Sequence, residues 1–142
     1  TNYLASLNLI GIREALTLSK KNNIDLGLTY NAIKISSGNS FVNETETKVI
    51  LGGSYDVGFT MDLVNKDINI FNTLAKKLNI SLDLAKILNK KFKKGLKKYG
   101  KRSFSTSIVK LLEEEYNFKM RAHNFPKKLI DKKPKLRGVE IK

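Results

Sequence analysis

Lys66 and Asp67 stand side by side in Gly58-Phe59-Thr60-Met61-Asp62-Leu63-Val64-Asn65-Lys66-Asp67, a stretch that reads as a turn followed by a helix. An ammonium group two turns into a helix is a positioned cation with three donors, able to hold a polar ligand or a developing charge. Lys66 shares a helical row with Asp62 at i−4 and Ile70 at i+4. Leu63, Phe71, Leu74 and Leu78 recur at core spacing on the adjoining face. Lys66 is therefore expected at the border of the buried stripe, where a cation needs a polar or anionic partner. The plainer alternative is a solvated lysine paired with Asp62. Phe59 stands in the Gly-Phe turn just ahead of the helix. Asp67 suits holding local geometry better than reacting. Asn2 carries an amide that donates and accepts without titrating; its alternative is a cap or a frayed end. Ser36, Ser37 and Gly38 read as a break between helices.

These groups need a scaffold, and the periodicity makes it helical throughout. A first helix is expected over about residues 2–21, with Leu4, Leu7, Gly11, Ala15 and Leu18 as its apolar stripe and a close helix crossing at Gly11. Asp25 can cap a second helix to about Ile35, Ser40 a third to about Leu51, Thr60 a fourth to about Leu78 and Ser81 a fifth to about Tyr99. Leu82, Ala85, Leu88, Phe92 and Leu96 give the fifth helix one apolar face. A sixth is expected over about residues 107–118, with Ile108, Leu111 and Leu112 inward. The remainder, with Pro126 and Pro134, reads as an extended or disordered tail.

The 142 residues suit one domain with a real core. The absence of cysteine excludes disulfides, a thiol nucleophile and cysteine metal sites, and the single His123 excludes a histidine-rich metal cluster. No apolar run is long enough to span a membrane, and a cytoplasmic protein is expected. No Gly-x-Gly-x-x-Gly lies between a strand and a helix, as a dinucleotide pyrophosphate site of that type requires. Residues 1–85 balance eight basic against eight acidic side chains, whereas residues 86–142 carry nineteen basic and five acidic. The excess falls in Lys86–Arg102 and Lys119–Lys142. Nucleic acid is a possible partner for such blocks. A solvated face is favoured, because aromatics are sparse there and Lys outnumbers Arg.

Four pieces, taken in order and spacing, carry a resemblance: Asn2-Tyr3-Leu4 with Glu14-Ala15-Leu16; Ser36-Ser37-Gly38 with Ser40; Gly58-Phe59 with Leu63 and Lys66-Asp67; and Gly100 with Ser103-Phe104-Ser105. The set resembles the all-α C-terminal domain of the β-hydroxyacid dehydrogenases, the family of 3-hydroxyisobutyrate dehydrogenase, tartronate semialdehyde reductase and 6-phosphogluconate dehydrogenase. It covers about residues 2–116. The resemblance implies a helical bundle over residues 1–118, followed by a basic, irregular tail over 119–142. The family's N-terminal dinucleotide-binding (Rossmann) domain would be absent from this chain, which starts at Thr1 rather than Met.

The same resemblance implies a function. The family passes a hydride between NAD or NADP and the carbinol carbon of a 3-hydroxy acid. Its acid/base lysine, four residues before the asparagine that matches Asn2, would lie ahead of Thr1. Asn2 would then orient substrate, Lys66 would reach the cofactor near the nicotinamide, and Phe59 would pack on the cofactor side. Asp67 would support them, and Ser36, Ser37 and Gly38 would line the substrate end. Thr1 departs from the asparagine often found there, which puts a second polar contact in doubt. The domain would cover the nicotinamide and substrate, assemble as a homodimer or homotetramer, and be inactive in isolation. The alternative is a catalytically silent relative serving as an assembly or nucleic-acid-binding module.

Overall fold

The computed structural model describes residues 1–129. Six α-helices follow in order: α1 (Asn2–Lys21), α2 (Leu26–Lys34), α3 (Phe41–Gly52), α4 (Met61–Lys77), α5 (Asp83–Tyr99) and, after a 3-10 helix Ser105–Val109, α6 (Lys110–Glu115). No extended strand occurs among the described residues. One isolated antiparallel bridge pairs Thr60 with Phe104. The architecture is all-α, as the periodicity predicts. Two ends follow the expected chemistry closely. The Asp25 carboxylate accepts from the Leu28 N–H at 2.8 Å, and the Ser40 hydroxyl oxygen accepts from the Asn43 N–H at 3.1 Å. Gly53 ends α3 with φ +89°, a left-handed cap that glycine adopts freely. Ser81 does not cap α5. The N-cap position is Leu82, and the Ser81 hydroxyl instead accepts from the Lys86 ammonium.

α1 is the central element and touches α2, α3, α4, α5 and α6. That position overturns the expected stripe. Leu4 and Leu18 are 59% and 67% exposed, whereas Leu9, Ile10, Ile12 and Leu16 are buried along with Ser6 and Arg13. Gly11 is exposed, with nothing within 4 Å of where a Cβ would stand, so the expected helix crossing is not there. The close approach falls at Gly95 of α5, where a Cβ would meet Ile108 Cδ1 at 2.6 Å. Arg13 is buried because its Nη1 donates to the Ile108 carbonyl at 3.2 Å and its guanidinium pairs with Glu14 at 3.5 Å. Burial also holds its pKa below the usual arginine value.

α4 is likewise turned from the expected face. Met61, Val64, Asn65, Ile68 and Ala75 point inward, while Leu63, Leu74 and Leu78 are 37%, 54% and 68% exposed. Buried Asn65 is tolerated because its Nδ2 donates to the carbonyls of Met61 (2.8 Å) and Phe92 (3.3 Å). The α5 face (Ala85, Leu88, Phe92) and the inward residues Ile108 and Leu111 are as expected.

The stretch after α6 is irregular but not loose. Met120 is fully buried, Arg121 donates to the Ile50 carbonyl at 3.1 Å, and Phe125 meets Tyr30 edge-on at 5.2 Å between ring centres. Residues 121–126 therefore pack on the body, against the expectation of an extended or disordered tail from Met120. The rest of the basic tail, residues 130–142, lies outside the described residues.

Candidate active-site face

The bridge between Thr60 and Phe104 is what positions Phe59. The Met61 N–H donates to the Ser103 carbonyl at 2.7 Å, and the Ser105 N–H donates to the Phe59 carbonyl at 2.8 Å. These bonds pin the loop before α4 to the loop after α5. Phe59 and Ser105 thereby share a concavity of about 470 Å³ with Asn2, Leu9 and Val42, opening at the N-terminal end of α1. Phe41, 57% exposed, stands at its rim.

Asn2 is tied to α4 as well. Its Nδ2 donates to Asp67 Oδ2 at 2.6 Å, and Asp67 pairs with the Lys66 ammonium at 3.4 Å. Below this bond Tyr3 stacks on Phe71, with ring centres 4.1 Å apart and planes 5° from parallel. A charge-assisted hydrogen bond and an aromatic stack together fix the start of α1 against α4.

The expected residues are thus only partly gathered. Asn2 and Phe59 line one concavity, and Asp67 holds Asn2. Lys66 is not at the edge of the core. Its side chain is 61% exposed, and it lines a separate shallow depression with Asn65, Ile70 and Leu96. Its partner is Asp67 rather than Asp62. Asp62 instead accepts from the Thr60 hydroxyl and the Leu63 N–H, and it faces Arg102 at 4.0 Å; these contacts hold its pKa below the usual carboxylate value. Ser36, Ser37 and Gly38 are exposed and line neither the Asn2–Phe59 concavity nor the depression beside Lys66. The Ser36 hydroxyl is spent on the Ile33 carbonyl at 3.1 Å, a helix-ending role.

One lining residue escapes the sequence reading. Glu46 of α3 faces the concavity, and burial pushes its carboxyl up to about 7. The signal was present: Glu46 shares a helical row with Val42 and Ile50, both buried. An acidic group in an apolar row is as unusual as a lysine at its edge.

Among the described residues there is no group of three or more His, Asp or Glu that could hold a metal ion. No helix among them is long and apolar enough to cross a membrane.

Comparison with known proteins places the chain in a family. The family model described as "NAD-binding of NADP-dependent 3-hydroxyisobutyrate dehydrogenase" matches residues 1–112. L-threonate dehydrogenase of Haemophilus influenzae is 32% identical over 82 residues, which is 58% of this chain and 27% of that protein. 2-(Hydroxymethyl)glutarate dehydrogenase of Eubacterium barkeri is 28% identical over 114 residues, 80% of this chain and 38% of that protein. The crystal structure of 3-hydroxyisobutyrate dehydrogenase from Salmonella typhimurium superposes with a TM-score of 0.70 at 25% identity, covering 78% of this chain and 39% of that one. The fold also matches 3-hydroxyisobutyrate dehydrogenase of Mycobacterium tuberculosis, with a TM-score of 0.71. This chain therefore spans between 27% and 40% of the length of these relatives. The chain belongs to the 3-hydroxyisobutyrate dehydrogenase family of NAD(P)-dependent hydroxyacid dehydrogenases, and its described residues form an all-helical domain.

Proposed function

We propose that this domain closes over the nicotinamide and substrate of an NAD(P)-dependent 3-hydroxyacid dehydrogenase and mediates assembly of the enzyme. The observation that carries the reading is the 2.6 Å hydrogen bond from Asn2 to Asp67. It joins the start of α1 to the Lys66–Asp67 pair beside a concavity that Phe59 walls. The lining fits one side of a planar, amide-bearing ring: apolar surface from Phe59 and Leu9, with polar groups only at points such as Asn2 and Ser105.

A bound nicotinamide supplies the hydride chemistry. Phe59 would exclude water from its reacting side, and Lys66 would reach toward it from α4. Asn2, held by Asp67, would orient the hydroxy acid. Ser36, Ser37 and Gly38 would contribute at the substrate end only in a closed enzyme. The family's acid/base lysine has no counterpart among residues 1–142, so these residues alone are expected to be inactive.

Lys66→Ala, made in the protein as its gene encodes it, tests this. NAD(P)-dependent oxidation of hydroxy acids should fall by about a hundredfold or more, the usual loss for one positioned transition-state contact. The melting temperature should hardly move, since the side chain is 61% exposed. Near-normal turnover would reduce Lys66 to a surface lysine.

Assembly is supported by the outer row of α4, where Ile70, Leu74 and Leu78 are all more than half exposed. Pairing through this row would leave the α5 lysines outside the interface, since like charges across a two-fold axis repel. Light scattering should give a dimer mass or larger. A monomer at high protein concentration would count against the interface.

A further inference from the structure

Glu46 is the group on this face that the proposed reading leaves unused. It sits mid-α3 in the row of Val42 and Ile50, and it lines the same concavity as Asn2 and Phe59. Its carboxyl makes no hydrogen bond or ion pair among the described residues. Glu46 is half-buried, and a carboxyl that faces apolar side chains without a partner is held at a cost. A ligand that supplies the partner recovers that cost, and a ligand that presents a methyl group there does not. Sites built around an unmet hydrogen-bonding group discriminate in this way.

We propose that Glu46 is a specificity-determining residue that receives a second hydroxyl of the substrate, favouring polyhydroxylated acids over alkyl-branched ones. The inference rests on the concavity being the substrate site. A hydroxyl is the fitting group. It donates to an ionised carboxylate and accepts from a protonated one, and both forms of Glu46 are populated near neutrality. An ammonium group would satisfy only the ionised form. The carboxylate of the substrate must lie away from Glu46, because two like charges in one apolar site repel. The volume of about 470 Å³ falls in the range of small-ligand pockets.

The test is a pair of NMR titrations on the isotope-labelled chain, one with L-threonate and one with 3-hydroxyisobutyrate. Both acids should shift amides near Asn2. L-threonate should also shift those of α3 around Glu46 and bind about five- to tenfold tighter, the value of one hydrogen bond. Glu46→Leu should erase the preference, and Glu46→Gln, which keeps the shape and an acceptor, should retain part of it. Equal binding of the two acids, or a preference that survives Glu46→Leu, would overturn the role of Glu46 while leaving the substrate site in place. No shift with either acid would overturn both.

Discussion

Glu113 and Glu46 are both acidic side chains turned inward, and they meet opposite surroundings. The Glu113 side chain is fully buried, and its oxygens accept from the Tyr55 hydroxyl (2.7 Å), from the Met120 N–H (2.7 Å) and from Arg121 (3.4 Å), with Lys119 at 3.6 Å. Arg121 also donates to the Tyr55 hydroxyl oxygen at 2.7 Å and lies 4.8 Å over the Tyr55 ring. Tyr55 is held in the left-handed region, φ +59°, by this network and by the Thr106 hydroxyl, which donates to its carbonyl. Among the described residues Glu46 has none of this. Where donors saturate a buried carboxylate it works as a fastener, here clasping residues 119–121 to the loop after α3. Where a carboxyl lines a cavity unpartnered, the missing donor points to a ligand.

The sharpest way to break this comparison is to remove the fastener. Glu113→Ala leaves the Arg121 guanidinium and the Tyr55 hydroxyl without their shared acceptor. The Arg121 side chain is 37% exposed and water can reach it, so the cost is that of the buried donors left unmet, the Tyr55 hydroxyl and the Met120 N–H, about 1–3 kcal/mol. Urea unfolding should show a loss of that size, and trypsin should cut at Arg121 far faster than in the parent. A loss under about 1 kcal/mol would mean that water reaches these donors too, and that Glu113 and Glu46 differ less than their contacts imply.

Glu46→Gln should act in the opposite direction, and only at higher pH. The Glu46 carboxyl moves from an ordinary value of 4.5 to about 7 in the fold. The folded state therefore binds its proton more tightly than the unfolded chain does. Below about pH 4.5 both states hold the proton and Glu46 carries no penalty. Between about 4.5 and about 7 the unfolded chain ionises first, so stability falls as pH rises, and above that range it stays at the lower level. The glutamine variant should lack this fall. It should match the parent in acid and be more stable by roughly 1–3 kcal/mol above neutrality. Parallel stability curves for the two proteins across this range would mean that Glu46 is solvated, and the contrast with Glu113 would be lost.

Much of the fold was legible because helix ends are written in local chemistry. Asp25, Ser40 and Gly53 act where their types indicate, and the apolar face of α5 follows from its spacing. The faces of α1 and α4 were not legible. Their leucine rows read as core, yet the buried rows carry Ser6, Arg13 and Asn65. Besides their local partners Glu14 and Met61, Arg13 and Asn65 are met inside by carbonyls of Ile108 and Phe92, distant in sequence. Local periodicity cannot foresee such partners. Of the proposed site, Asn2 and Phe59 line one concavity and Asp67 holds Asn2. Lys66 moves outward with the true register of α4, and Ser36 is absorbed by its own helix end. Glu46 stood in plain view, in the row of Val42 and Ile50.

The smallest expected effect asks whether the two glutamates are independent. α1 runs from Asn2 at the concavity to Lys21, whose ammonium donates to the Tyr116 carbonyl at 2.8 Å, next to α6. Gly11 lies midway, exposed, with room for a methyl group. Gly11→Ala should therefore stabilise the protein by about 0.5–1 kcal/mol, through helix propensity and reduced freedom of the unfolded chain. Sites that share no partner add. The alanine variant should thus keep both the pH-dependent fall set by Glu46 and the full cost of Glu113→Ala, each measured by urea unfolding in the Gly11→Ala background. A change in either would mean that α1 transmits strain between the concavity and the clasp. The two carboxyls would then have to be treated as one coupled system rather than as a site and a fastener.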